Sequence, residues 1–362
     1  MARKKHTILI AGATGVVGAA AVAHFAALPE WQVLALSRRP GPLPEGVVHV
    51  PLDLADPAAC HAAAPGLAHV THVMYAALFE LPDLVAGWRD PRQMAVNEAM
   101  LRNLLDALAP VAMGLRHITL MQGTKAYGGH VTPAPVPAKE RWPRHDHANF
   151  YWLQEDLLRA RQPHAAWTFT VLRPQIILGH ATGSPMNVVA AIGAYAAVRR
   201  EAGLSLCFPG GGRYINAASD SRLIARAAEW AGTHEIAANE TYNVLNGDML
   251  VWQDIWATVA RRFGMDAGPP EPCSLTHTMP LREAEWARVV ERHGLQPLTL
   301  AQLVGSSWQF TDRAFAHGLD NPADSVLSGI KLRQHGFADC MDTEDALGHW
   351  LERLQQQRLL PC

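Results

Sequence analysis

The segment GATGVVG, Gly12 to Gly18, constrains the fold of this chain more than any other feature of its sequence. It follows an apolar run, HTILIAG, and opens a helical pattern, VGAAAVAHFAAL. A strand, a glycine-rich turn and a helix in this order are the fingerprint of a dinucleotide-binding βαβ unit. Gly12 permits the tight turn, Gly15 lets a pyrophosphate approach the backbone, and Gly18 allows close packing of helix on strand.

The rest of the first half repeats this alternation of strand and helix. The runs WQVLALSR, VVHVPLDL, HVTHVMYAA, LRHITLMQG and WTFTVLRPQIILG predict the second to sixth strands. Such alternation predicts an α/β fold, a doubly wound parallel (Rossmann) sheet. We expect a Rossmann domain over residues 1–180, completed by strand and helix segments within 210–262. Residues 181–362 are predicted to form mainly a smaller, mostly helical substrate-binding lobe that covers the sheet edge.

The end of the second strand indicates which nicotinamide cofactor binds. An acidic residue there accepts a hydrogen bond from the ribose 2′-hydroxyl of NAD, whereas an arginine binds the 2′-phosphate of NADP. This chain has Ser37, Arg38 and Arg39 and no acid, which predicts NADPH; the alternative is that the arginines are a solvated surface pair. Asp53 is expected to accept from the adenine amino group. The predicted cofactor contacts are Gly12, Thr14, Gly15, Val16, Val17, Gly18, Ser37, Arg38, Arg39, Asp53, Leu54, Tyr75, Ala76, Ala77, Gln122, Gly123 and Ile176.

The segment NFYWLQEDLL places Tyr151 at the start of a helix, where a reductase of this fold carries its acid. A tyrosine has a pKa near 10, and a neighbouring ammonium group would lower it. The usual lysine one turn later is absent, because that position is Glu155. The chain has five lysines, at positions 4, 5, 125, 139 and 331. Of these, only Lys125 follows the carboxyl end of a predicted sheet strand, where ligands bind.

Taken together, GATGVVG, SRRP, QGTKAYGG and NFYWLQED resemble the progesterone 5β-reductase and iridoid synthase-like (PRISE) enzymes. These are atypical members of the extended short-chain dehydrogenase/reductase superfamily. The resemblance covers most of the chain, and the last two motifs are the specific ones. It implies that Lys125 and Tyr151 form the active site and that the C=C bond of an α,β-unsaturated carbonyl is reduced. Ala126 and Trp152 depart from the family's KHY and NFYY forms, which leaves the substrate open.

The mechanism expected from this resemblance is hydride addition from NADPH to the β-carbon. Tyr151 would stabilise the enolate oxygen, while Lys125 would support the tyrosine and the cofactor ribose. A small apolar carbonyl compound is the expected substrate. The candidate pocket residues, for which core packing is an equal alternative, are Phe150, Met186, Phe208, Tyr214 and Trp308.

Other classes of function remain open or are disfavoured. Carbonyl reduction would use the same residues, a sugar-nucleotide epimerase or dehydratase would share the fold, and a non-catalytic NADPH sensor is a different class. The net charge of −2, without long charged runs, argues against nucleic-acid and membrane partners. Five scattered cysteines favour a cytoplasmic setting without disulfides. His145 to His147 lack a third ligand, so no metal is expected. A homodimer is a candidate assembly.

Overall fold

The computed structural model describes residues 5–362, the side chain of Val85 excepted, so Lys4 and the other residues before Lys5 lie outside it. Its strands are β1 His6–Ala11, β2 Trp31–Ser37, β3 Val48–Pro51, β4 His72–Tyr75, β5 His117–Met121, β6 Thr168–Pro174, β7 Ile176–Leu178, β8 Ala218–Asp220 and β9 Glu240–Val244. Its helices are α1 Val16–Ala26, α2 Pro57–Ala63, α3 Leu84–Gly87, α4 Pro91–Leu108, α5 Phe150–Arg161, α6 Val188–Glu201, α7 Ser221–Thr233, α8 Trp252–Arg262, α9 Leu275–Thr278, α10 Glu283–His293, α11 Leu300–Leu303, α12 Ser307–Ala314, α13 Ile330–Gln334 and α14 Thr343–Gln356.

The chain divides into two compact units. The first runs to Pro174 and includes Ser221–Val244 and Leu327–Asp339, and the second consists of Gln175–Asp220, Leu245–Val326 and Cys340–Cys362. The first unit therefore takes up a helix and a strand from within 210–262, together with a further segment near residue 330. No helix among residues 5–362 is long and apolar enough to cross a membrane.

A seven-stranded parallel sheet forms the centre of the first unit. Its strand order is β3-β2-β1-β4-β5-β6-β9, which confirms the doubly wound prediction. Apolar residues of its central strands, among them Leu9, Val73 and Leu120, share one buried cluster with α2, α4 and α5. Helices α1 and α7 pack together and contact β1, β5 and β6. Parallel strands bury both faces in this way, which explains their near-continuous apolar runs.

The second unit is mostly helical, and its core is built around α6. This helix is buried along most of its length, and it shares a cluster with residues of α8, α10, α12 and α14. The predicted sixth strand, residues 167–179, is wrong as a single element. It is divided at Gln175 into β6, in the large sheet, and β7, which pairs with β8 in the second unit. The break occurs where the Gln175 N–H donates to the Ser219 hydroxyl at 3.0 Å instead of continuing the ladder.

Candidate active site

The turn between β1 and α1 requires glycine at two of the three positions that the sequence identified. Gly12 has φ +83°, and a Cβ there would lie 2.7 Å from the carbonyl carbon of Ala76. A Cβ at Gly18 would overlap the carbonyl oxygen of Gly12. Gly15 is the N-cap of α1, and no side chain caps this helix. The first N–H groups of α1 are thus left for an anionic ligand, and the turn fits a pyrophosphate.

The end of β2 carries the groups predicted to contact a 2′-phosphate. The Ser37 hydroxyl donates to the Arg39 carbonyl at 2.7 Å and lies 3.0 Å from His49 Nε2. Arg38 and Arg39 are exposed, and neither has an ion pair within the described part of the chain. His49 was not identified from the sequence, because only the pairing of β3 with β2 brings it beside Ser37.

Most of the remaining predicted cofactor residues lie at or just after the ends of β3 and β4 or border the glycine turn. Asp53 is exposed, and its Oδ1 accepts from the Ala55 N–H at 3.0 Å. The Leu54 carbonyl accepts from Asn103 Nδ2 at 2.8 Å. Tyr75 is buried, and burial raises the pKa of its hydroxyl well above the ordinary value. Of the others, Thr14 is exposed, Val16 and Val17 are buried, Ala76 and Ala77 are half-buried, and Ile176 belongs to β7 of the second unit.

Tyr151 lies in the first turn of α5, beside the end of β5. Asn149 caps this helix, and its Oδ1 accepts from the Tyr151 N–H at 3.0 Å. The hydroxyl oxygen would lie 3.4 Å from a Cβ placed on Gly123, and it makes no hydrogen bond within residues 5–362. Burial, and next the Glu80 carboxylate, raise the pKa of Tyr151, while Arg173 opposes them. Tyr151 is therefore a neutral phenol that can donate a hydrogen bond.

Lys125 is connected to this tyrosine through Asn149 and Trp88. It belongs to a 3₁₀ turn, Thr124–Tyr127, directly after β5. Its carbonyl accepts from Asn149 Nδ2 at 2.9 Å, which ties the turn to the start of α5. Its Nζ lies 3.6 Å from the centre of the Trp88 ring, and that ring contacts the Tyr151 ring at 5.3 Å. In this structure Glu80 and Arg173, rather than Lys125, are the charged side chains that shift the pKa of Tyr151.

Glu155, at the position of the missing lysine, belongs to an ion-pair network in which Glu155 and Arg173 are buried and the other two arginines are partly exposed. Its carboxylate pairs with Arg173 at 3.2 Å, Arg144 at 3.3 Å and Arg159 at 2.9 Å. Burial alone would raise the pKa of Glu155, but Arg173 and the other two arginines outweigh it and hold the pKa below the ordinary value. Gln122 donates to Glu155 at 3.3 Å and accepts from Arg173 Nε at 2.8 Å.

This network reaches the backbone of the catalytic candidate. Gln122 Nε2 also donates to the Tyr151 carbonyl at 3.1 Å. On the other side, Arg173 lies 3.4 Å from the Tyr127 hydroxyl, which donates to Asn243 at 2.7 Å. Glu155 thus supports the helix that carries Tyr151 through neighbouring buried groups, and no lysine could replace it there without removing these pairs.

The predicted pocket residues fall into both units. Phe150 is buried against Trp88, with ring centres 4.8 Å apart. Met186 has φ +61°, and the Tyr214 hydroxyl donates to the Ala314 carbonyl at 2.5 Å. Phe208 and Trp308 are 2% and 4% exposed and belong to the apolar core of the second unit. Their role as pocket residues stays a prediction.

Comparison with known proteins places the chain in a family. The family model described as PRISE-like Rossmann-fold domain matches residues 56–305. An (S)-8-oxocitronellyl enol synthase of Camptotheca acuminata is 30% identical over 98% of this chain and 93% of its own length. A 3-oxo-Delta(4,5)-steroid 5-beta-reductase of Arabidopsis thaliana is 29% identical over 98% of this chain and 92% of its own.

Solved structures agree on the fold. The NAD complex of UDP-glucose 4-epimerase from Thermus thermophilus has a TM-score of 0.66 at 19% identity, covering 96% of this chain and 99% of its own. A short-chain dehydrogenase/reductase superfamily protein from Agrobacterium tumefaciens, with bound NAD, has a TM-score of 0.64 at 18% identity, covering 98% of each chain. With a family model that spans more than half of its residues, this chain belongs to the PRISE-like Rossmann-fold domain family.

Proposed function

We propose that this protein is an NADPH-dependent oxidoreductase that reduces the C=C bond of α,β-unsaturated carbonyl compounds. The observation that carries the proposal is the match, along nearly the whole chain, to a reductase whose name specifies a C=C bond conjugated to a 3-oxo group. The surroundings of Tyr151 agree with it, because a neutral hydroxyl without a protein partner can donate to a substrate oxygen.

A nicotinamide dinucleotide is the cofactor class that the glycine turn and the NAD-bound structural neighbours support. The preference for NADPH rests on Arg38 and Arg39, whose exposed guanidinium groups can bind a phosphate. Replacing both by alanine should raise the Kd of NADP⁺ more than about tenfold and leave that of NAD⁺ nearly unchanged. Isothermal titration with the two nucleotides measures this, and an equal loss for both would contradict the assignment.

The proposed chemistry divides between cofactor and protein. Bound NADPH supplies the hydride for the β-carbon, and a proton from water at the α-carbon completes the saturated product. Negative charge then develops on the carbonyl oxygen, and the Tyr151 hydroxyl stabilises it by donating a hydrogen bond. Lys125 contributes a positive charge beside this site and a donor for the nicotinamide ribose. Asn149 fixes both residues, through the Tyr151 N–H and the Lys125 carbonyl.

Product analysis tests this assignment. Wild type, Tyr151→Phe and Lys125→Ala are each incubated with NADPH and a small cyclic enone, and the products are separated by gas chromatography. The saturated ketone is expected from wild type, with turnover reduced by about 10²-fold or more in Tyr151→Phe, since one oxyanion donor is lost. Allylic alcohol would instead indicate carbonyl reduction. Tight NADP⁺ binding without any product would indicate a sensor.

Two remaining points concern the cellular setting and the competing epimerase function. Five free cysteines, with no disulfide among the described residues, support a reducing cytoplasmic setting. A sugar-nucleotide epimerase is less well supported, since its structural likeness to this chain stays below 20% identity and shows the fold alone.

A further inference from the structure

The backbone around Glu80, between β4 and α4, is held rigidly by two buried side chains of α4. Asn97 Oδ1 accepts from the Phe79 N–H at 2.9 Å, and Asn97 Nδ2 donates to the Phe79 carbonyl at 2.8 Å. On the other side, Gln93 Oε1 accepts from the Leu81 N–H at 2.9 Å. Glu80 is thus presented from a fixed position, although the segment that carries it has no regular secondary structure there.

Trp88 connects Glu80 with both catalytic candidates. It is 3% exposed, and its indole N–H donates to Glu80 Oε1 at 3.1 Å. Its ring lies in a T-shaped contact with the Tyr151 ring, with centres 5.3 Å apart, and the Lys125 ammonium lies over its face at 3.6 Å. Glu80 Oε2 is buried and has no hydrogen-bond partner among the described residues. A buried carboxylate with a single donor points to a charge partner nearby, and Lys125 is that charge.

The indole N–H lies in the ring plane, so Glu80 and Lys125 approach Trp88 from different directions. A cation over an indole face is attracted by the electron density of the ring. A carboxylate that accepts from the N–H polarises the ring toward higher electron density on its face, which strengthens this attraction. The ring therefore fixes where the ammonium lies, and the carboxylate fixes the ring.

We propose that Trp88 and Glu80 form a positioning pair for Lys125: the indole face holds the ammonium, the same ring system packs against Tyr151, and Glu80 holds the indole by its N–H. The pair deepens the proposed function and rests on it, because Lys125 is placed for that reaction. The charged and titratable groups around the pair are Lys125 and Tyr151, with the His130 ring 6.2 Å from Trp88. Burial raises the pKa of Glu80, and Lys125 and the indole N–H oppose the rise.

The first test observes Lys125 directly and needs no turnover. In ¹³C-lysine-labelled protein the five lysines give few ε-methylene signals, and Lys125→Arg assigns the one in question. A position over an indole face shifts the ε-protons of Lys125 upfield by ring current. We expect this upfield shift in wild type, its loss in Trp88→Leu, and its reduction in Glu80→Ala. Trp167→Phe, which changes a tryptophan that does not contact Glu80, Lys125 or Tyr151, is the control and should leave the shift unchanged.

The second test asks whether Trp88 acts through Lys125. The Kd of NADP⁺ is measured for wild type, Trp88→Leu, Lys125→Ala and the double variant, and kcat for the cyclic enone is measured alongside. Trp88→Leu should weaken NADP⁺ binding or lower kcat by about tenfold in wild type, the scale of one desolvated cation–π contact. In the Lys125→Ala background Trp88→Leu should change the Kd of NADP⁺ and kcat by less than about twofold, since the effects of coupled residues are not additive. Trp88→Phe keeps a ring face and should lose less than Trp88→Leu.

Two results would overturn the pair. One is a Lys125 ε-signal without an upfield shift in wild type. The other is an equal change in the Kd of NADP⁺ and in kcat when Trp88→Leu is made with and without Lys125, which would show that Trp88 has a structural role only. Failure of wild type to reduce any enone would overturn the proposed function instead, and the lysine spectra would still decide whether the pair positions the ammonium.

Discussion

Restoring the usual lysine, by Glu155→Lys, should destabilise this protein and give no catalytic gain. The Glu155 side chain is 5% exposed, and its carboxylate compensates Arg173, whose side chain is 7% exposed. The substitution removes that compensation and places an ammonium group among three guanidinium groups, those of Arg173, Arg144 and Arg159. The same change is therefore expected to loosen the helix that carries Tyr151.

The size of the effect follows from burial. Removing one partner of a buried ion pair costs about 3–5 kcal/mol in free energy of unfolding, and the added positive charge makes the upper end the better expectation. An unfolding entropy of about 2.1 cal/mol/K per residue gives about 0.8 kcal/mol/K for 362 residues. A loss of 4 kcal/mol therefore lowers Tm by about 5 °C.

Thermal unfolding followed by circular dichroism measures this loss. Glu155→Gln, which keeps an acceptor, should lower Tm less, and Glu352→Lys is the surface control. Glu352 is exposed on α14, where its carboxylate accepts a hydrogen bond from Gln356 one turn later, so the Tm of this control should fall by less than about 1 °C. Enone turnover is measured in Lys125→Ala with and without Glu155→Lys. A Tm equal to wild type, or turnover regained in the double variant, would contradict a stabilising role of Glu155.

Two further predictions concern the same unit. Gly123→Ser should fold normally, because Gly123 is extended at φ −175° and a Cβ there would lie 3.4 Å from the Tyr151 hydroxyl. The new hydroxyl should compete with substrate for the Tyr151 hydrogen bond and raise KM several-fold. Gly123→Ala is the control, and an unchanged KM in the serine variant would count against Tyr151 as the donor. Burial lowers the pKa of His72 to about 4 and that of His117 to about 3, so both stay neutral in the folded protein while the unfolded chain takes up protons below about 6.5. Their contribution to the free energy of unfolding is therefore full above pH 6.5 and falls by about 3 kcal/mol per pH unit, for the two together, down to about pH 4. Urea titrations at several pH values measure this slope. His117→Asn should roughly halve the slope, and an unaltered slope would contradict the buried, neutral state of His117.

Much of the first unit could be predicted from sequence because its signals are local. The glycine turn, the strand runs and the start of the helix that carries Tyr151 each depend on residues close together in the chain. The rule that ligands bind at the carboxyl ends of parallel strands placed Lys125 at that edge of the sheet, and the resemblance to the PRISE enzymes implied its pairing with Tyr151.

What the sequence could not show depends on contacts between distant segments. Arg173, on β6, becomes the partner of Glu155 only once β6 lies beside β5. Trp88 and Glu80 lie in a segment without periodicity, so nothing local distinguished them from a surface loop. The break at Gln175 was missed because residues on both sides favour strand, and the Ser219 hydroxyl that takes its N–H is 44 residues away.

The decisive measurement is the position of deuterium in the product formed with NADPH that carries deuterium at both C4 positions of the nicotinamide. A cyclic enone is reduced by the wild-type protein, and the label is located by NMR and mass spectrometry. Hydride transfer to the β-carbon predicts deuterium at that carbon of a saturated ketone. Deuterium at the carbinol carbon of an allylic alcohol, or no incorporation while NADP⁺ binds tightly, would contradict it.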